Sequence, residues 1–196
     1  VGRAGLTVAR VVAAAVDLAD EVGIGGVTVS AVARRFGVRD ASLYSHIRSA
    51  QDLRERVAVV ALTELGDAVA EALAGRSGSA ALVAFANAYR DYARAHPGRY
   101  AATQLHIEPG TPAADAAARH AHLTAALLRD YRLPEPAHTD AIRLLHATFH
   151  GYVTLETGDA FHHPRPVDRS WQQVLAALDV ALRHWPDELL PIPEQV

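Results

Sequence analysis

Eleven histidines are the first residues in this 196-residue chain to suggest chemistry. His146 and His150 stand four apart, so one helix face would carry both, and such a pair can share a metal ion or supply a base. His120 and His122 stand two apart and splay on a helix, while His162 and His163 adjoin in the polar stretch FHHPRP. No His-Glu-x-x-His set or nucleophile elbow accompanies them. With no third ligand in view, His146 reads as a hydrogen-bonded core histidine with Glu156 near its edge. His150 reads as structural, and His162 and His163 as solvated. Neither a metal site nor a cofactor is predicted. Metal sensing through His146 and His150 is the alternative role; a helical His-dependent enzyme would lack a nucleophile–base–orienter set.

A second group suggests recognition rather than catalysis. Arg39, Asp40, Ala41 and Ser42 open a short predicted helix, the position from which side chains reach base edges in a DNA major groove. Arginine can give guanine two hydrogen bonds, and alanine can meet a thymine methyl. Asp40 is also a possible cap. The elements that must position this group lie in TVSAVARRFGVRDASLYSHIRSAQD, residues 28–52. Ser30 is expected to cap a supporting helix whose apolar face is Val32, Ala33 and Phe36. Gly37 ends that helix, because glycine takes the left-handed C′ conformation without steric cost. Val38 fills the turn. Leu43 and Ile47 then face the core, leaving Arg39, Ala41, Ser42, Tyr44 and His46 outside. Thr28, near the start of the supporting helix, can bond a phosphate there.

The run GVRDASLYSHIRSAQDL resembles the second half of the DNA-binding domain of the tetracycline-repressor (TetR) family. Gly37, Val38, Leu43, Tyr44, His46 and Leu53 match that family's pattern, with Ser42 and Ile47 as close replacements. Arg39 stands where a small capping serine is usual. Ala50 stands where a lysine is usual, and Arg48 or Arg54 are the available substitutes. The resemblance implies backbone-phosphate contacts for Tyr44 and His46, a homodimer, a palindromic double-stranded DNA operator, and repression relieved by a small molecule. FHGYVTLE also resembles the His-Gly element of a C-terminal domain common among such regulators.

Composition fits a small helical protein. There is no cysteine or methionine, all nineteen basic residues are arginine, and the net charge is −3. Residues 1–56 carry eight arginines against six acids, and the remainder eleven against sixteen, so a weakly basic head sits on an acidic body. No apolar run is long enough to span a bilayer. Val1–Thr7 shows no secretory pattern, and a cytoplasmic location is expected. Arg3 is a candidate arm toward a phosphate or the minor groove.

The expected fold is all-α with about nine helices: a three-helix helix-turn-helix head over residues 1–50 and a ligand-binding and dimerisation body over 51–196. Thr7 to Val22 is the first helix, with Val8, Val11, Val12, Ala15, Leu18, Ala19 and Val22 as its stripe and Gly23 as its stop. Ser49 and Asp52 have capping-box spacing before a long helix to about Ala74, the lever between head and body. A loop is expected over 75–79. Leu82, Phe85, Ala86, Tyr89, Tyr92 and Ala93 mark one body face, Pro97 starts a short helix to about His106, and another helix spans Pro112 to Tyr131.

The helix expected from about Asp140 to Gly158 is apolar on two sides. Ile142, Leu145, His146, Phe149 and Val153 form one side, and Leu144, Ala147, Thr148, Gly151 and Leu155 the other. Ser170 is expected to cap a last helix with Trp171, Val174, Leu175, Leu178, Leu182 and Trp185 inward, broadened by Ala177, Val180 and Ala181. The second sides of these two helices are the expected dimer interface, a four-helix bundle across a two-fold axis. The family resemblance implies an apolar pocket in the body, for which Phe85, Tyr89, Tyr92, Tyr100, Leu123, Leu127, His146 and Phe149 are the candidate lining. Aromatic walls favour a small apolar or aromatic effector.

Overall fold

Helix caps and breaks set the chain's course through a computed structural model that describes residues 5–186. Arg3 lies outside the described residues. Among the described residues eight α-helices follow in order: α1 (Val8–Val22), α2 (Val29–Phe36), α3 (Ala50–Leu73), α4 (Gly78–Ala95), α5 (Pro97–Thr103), α6 (Pro112–Leu128), α7 (Glu135–Thr157) and α8 (Val167–Arg183). Short 3-10 turns stand at Ile24–Gly26, Asp40–Ser42 and Arg129–Tyr131. Among the described residues there is no strand.

Thr7 caps α1 by accepting from the Arg10 N–H, and Gly23 ends it. Val11, Ala15, Leu18 and Ala19 are buried, but Val8 and Val22, expected in the same stripe, are exposed at the two helix ends. The cap of α2 is Thr28 rather than Ser30. Thr28 has the extended backbone that a cap requires and accepts from Ala31 N at 3.1 Å, whereas Ser30 already lies inside the helix. Gly37 closes α2 in the left-handed region at φ 64°.

The segment expected to be a recognition helix is instead a 3-10 turn followed by further turns. Leu43 N–H bonds the Asp40 carbonyl and His46 N–H the Leu43 carbonyl; the one i→i+4 bond runs from Ile47 N–H to Leu43. Ser42, Tyr44, Ser45 and His46 are weak helix formers, and the Ser45 hydroxyl donates to the Ser42 carbonyl at 2.9 Å, competing for a backbone acceptor.

Two apolar cores share α3. Leu53, Val57, Ala58 and Ala61 pack into the head core with α1 and α2, while Leu65 and Val69, further along the same helix, pack into the body core. Helix α5 is shared as well: Ala102 belongs to the head core and Tyr100 to the body core. Helix α4 starts inside the expected loop, at Gly78. Helix α7 starts at Glu135, earlier than expected. Pro134 is its cap and Pro136 lies in the first turn, where a missing N–H leaves no bond unmade. Pro166, not Ser170, precedes α8, and Ser170 falls within that helix.

Arg90 clamps the body. It is 6 % exposed, donates to both Glu156 oxygens at 2.7 and 2.5 Å and to Asp168 at 2.7 Å, and lies over the Trp171 ring. One guanidinium thus joins α4, α7 and α8, and Glu156 is committed to Arg90 rather than to His146.

Candidate nucleic-acid interface and body cavity

Arg39, Asp40, Ala41 and Ser42 are all exposed on one outer edge of the head. The segment is anchored from beneath by Leu43 and Ile47, which are 0 % and 2 % exposed. It is anchored from the side by the Ser30 hydroxyl, which donates to the Asp40 carboxylate. Asp40 therefore braces the turn against α2. The Arg39 side chain has no hydrogen-bond or ion-pair partner among the described residues. Tyr44 is 56 % exposed, His46 is half-buried, and the Thr28 hydroxyl, while capping α2, retains its own hydrogen to donate.

The charges around this edge are partly committed. Arg35 is held by Glu21 at 2.6 Å. Arg54 donates from Nε to the Val27 carbonyl at 3.2 Å, so it braces the head and does not replace the lysine missing at Ala50. Arg48 pairs with Asp52 at 3.1 Å yet keeps most of its side chain in solvent. Arg56 shares the same carboxylate at 3.2 Å. Burial acts to raise the Asp52 pKa, but the Arg48 N–H and the Arg56 and Arg48 guanidiniums outweigh it and hold the carboxyl below its usual range. Arg34, exposed in the last turn of α2 just before the Gly37 turn, is a cation of the head that sequence reasoning did not single out. Its signal was its place opposite the α2 apolar stripe.

Head and body meet through α5. Asp20 accepts from Arg99 N at 2.9 Å and lies 2.9 Å from Arg99 Nε and 3.2 Å from His96 Nδ1. Arg99 also reaches Glu64 of α3 at 3.3 Å and Asp17 at 3.4 Å. Gly98 lets the two backbones touch: a Cβ there would stand 1.7 Å from the Ala19 carbonyl oxygen.

The other face of α5 borders a cavity of about 200 Å³ lined by α3, α4, α6 and α7, with Gln104, Ala121 and His146 at its exposed margin. Of the expected lining, Phe85, Tyr89, His146 and Phe149 are present. Tyr92, Tyr100, Leu123 and Leu127 are not. Tyr92 donates to Glu64 at 3.0 Å, and the Tyr100 hydroxyl is taken by Tyr89 at 2.9 Å and His150 at 2.6 Å. Leu127 is in the body core and Leu123 packs against it. The residue missed was His120. Its ring lies 5.6 Å from Phe85 and 6.0 Å from Tyr89, and its Nδ1 is buried with no hydrogen-bond partner. Burial, then the neighbouring His146, lowers its pKa to about 4. Burial and His150 likewise lower the pKa of His146. A larger space of about 720 Å³ between α1 and α3 has Val12, Val16, Val59 and Val60 in its wall and the charged Asp17, Glu55, Arg48 and Arg56 around them. The smaller cavity carries no Asp, Glu, Lys or Arg in its wall, so it is the better site for an uncharged ligand.

Comparison with known proteins bears on both features. Residues 11–57 match the bacterial regulatory proteins of the tetR family, and residues 82–178 match the tetracyclin repressor-like C-terminal domain. The chain is 31 % identical to the uncharacterised HTH-type transcriptional regulator YobS of Bacillus subtilis, over 96 % of this chain and 95 % of that one. The chain belongs to the TetR family of transcriptional regulators. Its fold is also similar to that of a TetR variant from Acinetobacter baumannii AYE in complex with minocycline, with TM-score 0.70, 20 % identity and coverage of 94 % and 100 % of the two chains. It is similar as well to that of BioQ with its double-stranded DNA operator, with TM-score 0.67, 19 % identity and coverage of 91 % and 99 %. DNA binding and ligand binding are typical of TetR regulators.

In this TetR-family chain, the second sides of α7 and α8 are uncovered. Leu144, Leu155 and Val180 are 37 %, 47 % and 58 % exposed, with Ala147, Ala177 and Ala181 beside them. Thr148 turns its hydroxyl to its own helix, donating to the Leu144 carbonyl at 2.7 Å. A Cβ on Gly151 would meet nothing within 4 Å, so no packing among the described residues requires glycine there. The His146 and His150 rings are 6.2 Å apart, but His150 Nδ1 is engaged by Tyr100. Among the described residues no group of three or more His, Cys, Asp or Glu is placed to hold a metal ion. His162 and His163 are exposed. No helix among the described residues is long and apolar enough to cross a membrane.

Proposed function

We propose that this TetR-family regulator is a homodimeric repressor that binds a palindromic operator and is released by a small molecule held in the body cavity. The observation that carries the reading is the exposed Arg39–Ser42 turn set on buried Leu43 and Ile47. Residues 1–50 read DNA, residues 51–196 bind the effector and pair the chains, and α3 crosses between them. Arg39, Ala41 and Ser42 meet base edges, and Asp40 holds their turn. Thr28, Tyr44, His46 and Arg48 meet phosphates. Leu144, Ala147, Thr148, Gly151 and Leu155 of α7 pair with Ala177, Val180 and Ala181 of α8 across a two-fold axis, setting two heads on one duplex.

Release works through α5. Thr103 lines the cavity, Tyr100 bonds Tyr89 in the cavity wall, and Gly98, Arg99 and Ala102 grip the head. An effector that favours one placement of α5 shifts α1, and with it the head, by no more than its difference in affinity between the two states. A gel shift on the DNA upstream of the chain's own gene tests the reading. Tyr44→Ala weakens binding to all sequences alike, whereas Arg39→Ala changes which sequence is preferred. Binding indifferent to both substitutions removes the assignment of the reading turn.

A further inference from the structure

The chemistry of the cavity specifies its ligand more narrowly than the fold does. No Asp, Glu, Lys or Arg lines it, so an ionised ligand would leave water without a partner charge. Gln104 and His146 stand at its exposed margin, and its buried polar atoms are mostly spoken for. Thr103 Oγ1 donates to the Tyr100 carbonyl, Thr124 Oγ1 to the His120 carbonyl, and Tyr89 bonds Tyr100. His120 Nδ1 stands apart as a buried nitrogen without a partner. The walls beside it are Phe85, Tyr89 and Phe149, aromatic faces that favour a flat ligand. Size sets the rest. An apolar cavity of roughly 150 Å³ holds benzene, and this one, at about 200 Å³, holds one ring with a few substituent atoms.

We infer that the cavity takes an uncharged single-ring aromatic bearing a hydroxyl, a simple phenol, hydrogen-bonded to His120 Nδ1. A neutral imidazole offers either an N–H or a lone pair at Nδ1, depending on tautomer. A hydroxyl both donates and accepts, so it satisfies either tautomer, whereas a carbonyl satisfies one. The phenol is also un-ionised at neutral pH, since its pKa lies near that of tyrosine, about 10.

The inference rests on reading this cavity as the effector site, and calorimetry on the full chain without DNA tests it separately from repression. The probes are p-cresol, toluene and benzoate. The expected result is saturable p-cresol binding about tenfold tighter than toluene, the value of one net hydrogen bond, with no benzoate binding. His120→Leu should bring p-cresol and toluene to within about twofold of each other. His120→Asn, whose amide reaches the Nδ1 position, should keep the preference and guards against a folding defect in the leucine variant. Equal affinity for p-cresol and toluene in the unaltered chain, tighter binding of benzoate, or no binding of any probe would overturn the inference. A gel shift in p-cresol reads the other question: p-cresol that binds as expected yet leaves the DNA complex intact sinks the release reading and leaves the ligand class standing.

Discussion

Gly98→Ala is the sharpest perturbation of the head–body junction. The added Cβ would sit 1.7 Å from the Ala19 carbonyl oxygen, 2.2 Å from its carbon and 2.7 Å from Asp20 N, all backbone atoms that cannot swing aside. Restoring an ordinary contact near 3.4 Å requires α5 and α1 to part by roughly 1.7 Å. That displacement also strains the bond from Arg99 N to Asp20, 2.9 Å in the native chain. Overpacking typically costs about 1–3 kcal/mol, and a clash with backbone belongs at the top of that range. At roughly 2–4 °C per kcal/mol for a chain of this size, thermal unfolding should fall by about 6–12 °C. Operator affinity should weaken several-fold, because α1 carries the head. Gly66→Ala is the control: its Cβ would meet only the flexible Arg119 guanidinium at 3.5 Å, and the helix gains up to about 1 kcal/mol from the better helix former. Unfolding temperatures within about 2 °C of native for Gly98→Ala, with unchanged DNA affinity, would refute the claim that backbone contact at this glycine sets the head's position.

Three further outcomes are expected. Arg90→Ala leaves the nearly buried Glu156 with only the exposed Arg94, 3.7 Å away, and should cost up to about 3–5 kcal/mol in urea unfolding, whereas Asp168→Asn, at an exposed carboxylate, should leave the urea midpoint near native. His120 binds its proton less readily folded than unfolded, so its contribution is complete above pH 6.5 and is lost as pH falls toward 4. The ceiling is about 3 kcal/mol, and His120→Asn should flatten that part of the stability–pH curve. Val180→Asp, on the exposed side of α8, should shift sedimentation from dimer to monomer while leaving the helical circular dichroism intact; a persistent dimer would place the interface elsewhere.

The sequence disclosed what local chemistry decides. Gly37 as a helix stop, Ser49 as a cap, and Leu43 and Ile47 as anchors all follow from conformational preference and from spacing, and each stands where expected. Thr28 and Ser30 were harder to separate, since both residue types can cap and they lie two apart; the backbone hydrogen bond to Ala31 decides for Thr28. Inwardness was legible in Tyr92, Tyr100 and Leu127, but periodicity does not say which neighbour an inward side chain meets, and they pack beside the cavity rather than line it. His120 was legible in principle. It continues the stripe Ala117, Thr124, Leu127 and Leu128, and the splay from His122 sends it inward while His122 faces solvent. Arg90 and Glu156 were not legible: they are 66 residues apart, and no local pattern announces a buried pair between distant helices.

Sedimentation of the chain with a labelled duplex from upstream of its own gene shows whether two heads read one site. Saturable binding of chains in pairs is expected, two per palindrome, with half-sites about one helical turn apart and binding weakened throughout by Tyr44→Ala. One chain per site, or a complex indifferent to Tyr44 and Arg39, would contradict that expectation.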